Sequence, residues 1–212
     1  MRIAIIGAGN VGAALAQASI KAGHEVTISA AGAEHAEAVA KQSGATAAAS
    51  NIEAVQAGDA IVLAVPHAAT SAIADELAYA LSGKIVIDAT NPLNETFTGL
   101  VTEGGVSAAE SLQERLPDAN VVKAFNTIVA GRHSTPTQDG ESLDAFIAGD
   151  DDEAKSKVAD FASSLGYRVI DAGSLRMARS LEEMAFLNIT LNASNGWPWQ
   201  SAWKLVGPTQ AV

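Results

Sequence analysis

Gly7, Gly9 and Gly12 are the first residues of this chain whose spacing could do chemistry. In the run Gly7-Ala8-Gly9-Asn10-Val11-Gly12 the first glycine can make a tight turn, the second can let the backbone approach a pyrophosphate, and the third can let a helix pack closely on a strand. The free N–H groups and positive dipole end of the following helix would hold the phosphates, with Asn10 at or near its N-cap. Glycines also mark ordinary turns, so the motif needs its context. Arg2-Ile3-Ala4-Ile5-Ile6 before it reads as a buried parallel strand, and Ala13-Ala14-Leu15-Ala16 after it continues a helix. The spacing predicts a dinucleotide-binding strand, turn and helix at the start of the chain.

Four further strand ends carry the other candidate residues. Glu25 to Ser29 is a second strand, and its end is where a dinucleotide fold reads the adenosine ribose. Ser29-Ala30-Ala31-Gly32 offers neither the acid that favours NAD nor the Arg that favours NADP. Ser29 and His35 are the nearby candidates for a 2′-phosphate, and His35 can equally serve the Glu34–Gln42 helix. Asp59 to Val65 closes on Pro66-His67, which places Val65, Pro66 and His67 beside the cofactor. His67 can donate to a phosphate or ribose, or cap the helix Ala68 to Leu81. Gly83 to Thr90 leads into Asn91-Pro92-Leu93-Asn94, turn chemistry that also offers an amide partner to a nicotinamide carboxamide. Asn120 to Thr127 delivers Asn126 to the same edge.

Strands alternating with helices predict a Rossmann-type doubly wound, mostly parallel α/β sheet. We read residues 1–212 as a single dinucleotide-binding domain, with a core over about 1–130 and a small C-terminal α/β extension over about 141–212. Ser50-Asn51-Ile52-Glu53 reads as a capping box. Thr96 to Gly105 reads as a mobile loop, and Gly131 to Gly140 as a long turn or flap. Asp150-Asp151-Asp152-Glu153 looks like a metal site, but consecutive acids also complement a helix N-terminus, so no metal is expected. A last helix, about Ser174 to Asn195, would place Met177, Leu181, Met184 and Leu191 on one apolar stripe, with Asn188 inside it. Trp197, Trp199 and Trp203 crowd behind it, which predicts docking on a partner subunit, hence a homodimer, or cover over a pocket.

Bulk properties exclude several classes. A net charge of −11, with thirteen Lys and Arg scattered along the chain, argues against nucleic acid and anionic membranes. No cysteine occurs, which removes disulfides, Cys-ligated zinc and thiol catalysis. The N-terminal apolar run is too short for a signal peptide or a membrane span, so a cytoplasmic location is expected. No Ser-His-Asp or paired-carboxylate constellation stands out, and no catalytic side chain is assigned.

The glycine motif, Ala64-Val65-Pro66, Asp88-Ala89-Thr90-Asn91-Pro92-Leu93, Lys123-Ala124-Phe125-Asn126-Thr127, Ala148-Gly149-Asp150-Asp151 and Asp171-Ala172-Gly173-Ser174-Leu175 occur together in one order. In this the chain resembles, over nearly its full length, the NADP oxidoreductase family typified by coenzyme F420-dependent NADP reductase. A domain of that family also forms the cytoplasmic part of membrane ferric reductases. The resemblance implies NADPH with Gly9, Asn10, Val11 and Gly12 against its phosphates, Ser29 at the 2′-phosphate, Val65 and Pro66 flanking the ribose, and Asn91 and Asn126 near the nicotinamide. Many members follow the serine with Arg; Ala30 stands here. The hydride partner implied is F420, a flavin or a related small-molecule redox acceptor. It would enter beneath the 131–140 flap and the C-terminal helix. A non-catalytic redox sensor and an imine or keto-acid reductase are the alternatives.

Overall fold

The computed structural model describes residues 1–102 and 104–207. Short runs of Ile, Val, Leu and Ala make strands buried on both faces, and a parallel neighbour requires a crossover, here an alanine-rich helix. Along the chain these are β1 (Arg2–Ile6), α1 (Asn10–Lys21), β2 (Glu25–Ser29), α2 (Ala33–Ser43), β3 (Thr46–Ala47), α3 (Asn51–Ala57), β4 (Ala60–Leu63), α4 (His67–Leu81) and β5 (Ile85–Asp88). They are followed by α5 (Ala108–Arg115), β6 (Asn120–Ala124), β7 (Thr137–Gln138), β8 (Glu141–Ser142), β9 (Asp144–Gly149), α6 (Asp152–Ser164), β10 (Arg168–Asp171) and α7 (Ala178–Asn195).

Strands β7 and β8 form a small hairpin, and the other eight form one sheet in the order β10-β9-β6-β5-β4-β1-β2-β3. From β3 to β6 every neighbour is parallel, which gives the doubly wound order with its switch point between β1 and β4. Strand β9 then runs antiparallel to β6, and β10 returns parallel to β9. That reversal brings the first residues of β9 and β10 to the edge where β1, β4, β5 and β6 end. Side chains alternate across the sheet. Ile3, Ile5, Val62 and Val122 pack with Leu15, Val158 and Phe161 on one face; Ala4, Ile6, Ile61 and Val121 pack with Val55, Leu77 and Leu112 on the other.

Several local expectations change. Glu53 accepts from the N–H of Ala49, one residue before Ser50, while Ser50 caps α3 by accepting from Glu53. Asp151, from the acidic run, caps α6 by accepting from Ala154, and Asp150 accepts from Leu175. The segment read as a flap starts with a 3-10 turn, Ala130–Arg132, in which Arg132 is buried beside buried His133; Gly131, Ser134, Thr135 and the β7–β8 hairpin are exposed. Leu181, Ala185, Asn188 and Asn192 form the buried side of α7, whereas Met177 lies before it and is 36% exposed. Residue 103 of the expected loop and residues 208–212 of the expected extension lie outside the described residues. Among the described residues, no helix is long and apolar enough to cross a membrane.

Candidate functional site

The site begins where β1 ends. Gly7 has a φ of +114°, and its N–H donates to the Ser29 carbonyl at 2.9 Å, which ties the turn to the end of β2. A Cβ on Gly7 would strike the Ala64 carbonyl, and one on Gly12 would strike the Gly7 carbonyl. Both contacts press α1 and the turn against the end of β4. A Cβ on Gly9 would meet nothing within 4 Å, so open space lies over the turn where a phosphate would approach. Gly9 itself is the N-cap of α1, and Asn10 is the first helical residue rather than the cap.

Helix termini divide sharply at this edge. Side chains cap α3, α5 and α6, through Ser50, Ser107 and Asp151. Helices α1 and α4, which start on either side of the switch point, have no side-chain cap and no acid in the first turn; α7 shares both features, and α2 lacks a side-chain cap but carries Glu34 in its first turn. The positive ends and first N–H groups of α1 and α4 are left for an anion. Val65 and Pro66 lead into α4, and a Cβ on Gly7 would also crowd the Val65 Cγ1. His67 is the first residue of α4; it makes no cap, and its buried Nδ1 has no partner.

At the adenosine end, Ser29 is buried, and its hydroxyl donates to Asn51 Oδ1 at 2.8 Å. Asn51 Nδ2 in turn donates to Glu76 at 3.2 Å. His35 stays exposed, its Nδ1 above Gly32, the N-cap of α2.

The opposite end is bound up in buried bonds. Asn91 Nδ2 donates to the Asn126 carbonyl at 2.9 Å, and Asn126 Nδ2 donates to Asn91 Oδ1 and to the Leu181 carbonyl, both at 3.0 Å. The two amides predicted for the nicotinamide edge are therefore partners of each other. Asn126 keeps a buried Oδ1 without a partner, as do the Thr90 and Thr127 hydroxyls beside it. Phe125 turns the chain with a φ of +64°, a conformation costly for a residue with a Cβ and one that clusters at functional sites.

Behind these amides is a network that sequence reasoning missed. Lys123 is fully buried, and its Nζ donates to Asp88 at 2.9 Å, Glu182 at 2.9 Å and the Thr90 carbonyl at 2.8 Å. Burial opposes the charge on Lys123, but the Asp88 and Glu182 carboxylates outweigh it and raise its pKa above the ordinary lysine value. Glu182 also accepts the Ala108 and Ala109 N–H groups at the start of α5. The signal was present: a lysine within Val121-Val122-Lys123-Ala124 and an aspartate closing Ile85-Val86-Ile87 need buried partners.

After α7 the chain folds back over the strand ends. Ser201 bonds Asn188 and Asn192, Trp203 donates to the Met184 carbonyl, and Lys204 donates to the Ser142 carbonyl. Of the two roles read for the tryptophans, Trp199 takes that of pocket cover: it lines a cavity of about 620 Å³ together with Asn10 and Gly131.

Comparison with known proteins fits this geometry. The family model of NADP oxidoreductase coenzyme F420-dependent proteins matches residues 2–92. The F420-dependent NADP reductase of Methanothermobacter marburgensis is 33% identical over 215 residues, spanning 92% of this chain and 94% of that one. The chain belongs to this family. A match to the F420-dependent NADP reductase of Methanocaldococcus jannaschii is 32% identical and covers 67% of this chain and 66% of the relative, just under two thirds of its length. A crystal structure from Arthrobacter sp. FB24, provisionally assigned as an F420-dependent NADP reductase, superposes with a TM-score of 0.84 at 29% identity, over 93% of this chain and 96% of that one.

Proposed function

We propose that this family member moves a hydride between NADP(H) and a flavin- or deazaflavin-like small molecule, with the dinucleotide extended across the strand ends. The observation that carries this reading is a concentration of unsatisfied groups along one edge. His67 Nδ1, Thr90 Oγ1, Asn126 Oδ1 and Thr127 Oγ1 are buried without partners, in line with two uncapped helix ends and the open space over Gly9. Of the nine buried side-chain polar atoms without a partner among the described residues, these four follow the ends of β4, β5 and β6, where a polar ligand would meet them.

Each residue then has a role. Gly7 makes the turn, and the backbone of Gly9, Asn10, Val11 and Gly12 holds the pyrophosphate. Val65 and Pro66 border the ribose, and His67 Nδ1 bonds a ribose hydroxyl or phosphate. Ser29 meets the 2′ position. Asn126 Oδ1 accepts from the nicotinamide carboxamide, while Asn91 fixes the Asn126 side chain. NADPH supplies the hydride when bound, and the proton that completes reduction of the ring comes from solvent; the protein orients the rings, and no acid or base side chain is assigned. The shared eight-stranded sheet supports one functional unit over the chain. Leu187 and Trp197, both exposed apolar residues at α7 and just beyond it, support a homodimer.

Fluorescence titration of the purified protein with NADPH and with NADH tests the assignment. Tighter binding of NADPH, followed by turnover with a flavin or F420, is the expected result. Equal or absent binding of the two would sink the NADP reading, and sedimentation as a monomer would sink the dimer.

A further inference from the structure

Arg132 is buried, 6% exposed, at the end of the 3-10 turn Ala130–Arg132. Its Nη2 donates to the Thr137 carbonyl at 3.3 Å and to Gln138 Oε1 at 3.0 Å, and its Nε is buried with no partner. Among the described residues, it forms no salt bridge. Arg2, Arg115, Arg168 and Arg179 each pair with a carboxylate, and Arg176 is exposed to water. A guanidinium does not shed its proton in a protein, so burial leaves Arg132 cationic and short of a counter-charge.

Arg132 lines a cavity of about 590 Å³ between the β7–β8 hairpin and the returning tail. Gln200 lines this cavity and also the one that Asn10, Gly131 and Trp199 border over the glycine turn. The two spaces thus share a wall, each within the size of ordinary small-molecule sites. The other charged groups facing the cavity are Asp139, Glu141 and Lys204. Lys204 Nζ lies 3.6 Å from Glu141 and 3.9 Å from Asp144, and Asp139 is exposed on the hairpin. Arg132 is the buried charge at the inner wall.

We propose that Arg132 anchors an acidic group, a phosphate or carboxylate, on the side chain of the redox acceptor. The acceptor's ring would occupy the neighbouring cavity beside the glycine turn. This rests on the acceptor reading above and adds the chemistry of the acceptor's tail. A guanidinium suits it, since its fork of donors matches either anion with two parallel bonds.

Flavin mononucleotide and riboflavin share one ring system and differ by a phosphate. With NADP⁺ at saturation, we expect the protein to bind flavin mononucleotide at least tenfold more tightly than riboflavin, read by flavin fluorescence. Arg132→Gln should reduce that ratio to within about twofold, and Arg132→Lys, which keeps the charge, should retain part of it. Equal binding of the two flavins by the native protein, or an undiminished ratio in Arg132→Gln, overturns the proposal. If neither flavin binds, inorganic tripolyphosphate decides, compared with chloride at matched ionic strength. A rise in melting temperature for the native protein that is absent in Arg132→Gln supports the anion site, and no difference overturns it. Should Arg132→Gln fail to fold, the native flavin ratio and the Arg132→Lys variant decide between the same two outcomes. NADPH titration run alongside separates the two readings: normal NADPH binding without an anion preference removes only the Arg132 subsite, whereas an anion preference without NADPH binding removes the dinucleotide assignment.

Discussion

The two ends of the crevice are built differently. At the adenosine end, backbone does nearly everything: a glycine turn, two uncapped helix starts, and one buried serine whose hydroxyl is given to Asn51. At the other end, Asn91 and Asn126 are bonded to each other, and the strands beneath them are joined by a buried lysine between two carboxylates. The contrast follows the chemistry proposed for each end. A pyrophosphate tolerates small displacements because several N–H groups share its charge, whereas hydride transfer requires one ring face within a narrow range of distance and angle.

The largest test of that contrast removes Lys123. Lys123→Met leaves Asp88 and Glu182 as uncompensated buried charges, a loss of about 3–5 kcal/mol in stability. In a chain of this size that lowers the melting temperature by roughly 10 °C. Ser29→Ala at the other end should cost only about 1 kcal/mol. Thermal melts of the two variants measure the difference, and equal losses would mean that the two ends are not differently supported.

The Asn126 end should also be the acid-sensitive one. His133 is buried beneath Phe125, with Nδ1 2.9 Å from the Tyr167 hydroxyl, and burial lowers its pKa from 6.5 to about 4. Between those values the unfolded chain binds the proton and the folded chain does not, so stability is full above pH 6.5 and falls as pH drops through the window. The loss approaches about 3 kcal/mol by pH 4. Melting temperatures followed from pH 7 to pH 4 should show this fall in the native protein and a flatter profile in His133→Gln. Parallel profiles would show that another group carries the slope.

Next in size is Asn126→Ala, which removes the unpartnered oxygen and the bonds to Asn91 Oδ1 and the Leu181 carbonyl. The expected loss is roughly tenfold to a hundredfold in single-turnover hydride transfer, with NADPH affinity changed only a few-fold. An unchanged rate would remove the nicotinamide from this position.

Fold and site were legible to different depths. The strand and helix order could be read because it depends on neighbours: β-branched runs, glycine stops, and acids ahead of helices. The glycine turn is likewise local, with Gly7 and Gly12 set by contacts within one strand-turn-helix unit and the adjacent β4. The Lys123 network joins β5, β6 and α7, so its partners lie 35 and 59 residues away along the chain. Helical periodicity placed Asn188 on the buried stripe, where it lies, but also Met177, which precedes the helix; the bonds of Asn188 and Asn192 to Ser201 depend on the returning tail. A polar segment suggested an exposed flap at 131–140, but its first part packs inward and buries Arg132 and His133. Polarity marks a surface only where the fold offers no buried partner.

The smallest effect sharpens the adenosine end. Because the Ser29 hydroxyl donates to Asn51 Oδ1, its hydrogen must leave Asn51 before it can meet a 2′-phosphate, which costs NADPH part of its advantage. Neither Ala30 nor Ala31 supplies a charge in compensation. Asn51→Ala frees that hydrogen, and the hydroxyl can then donate to a 2′-phosphate. One neutral donor gained is worth about 1 kcal/mol, so the preference for NADPH over NADH should rise roughly fivefold, with NADH affinity itself nearly constant. Parallel fluorescence titrations give both constants. If the ratio stays fixed, the 2′ position does not meet Ser29, and recognition there passes to His35 at the start of α2.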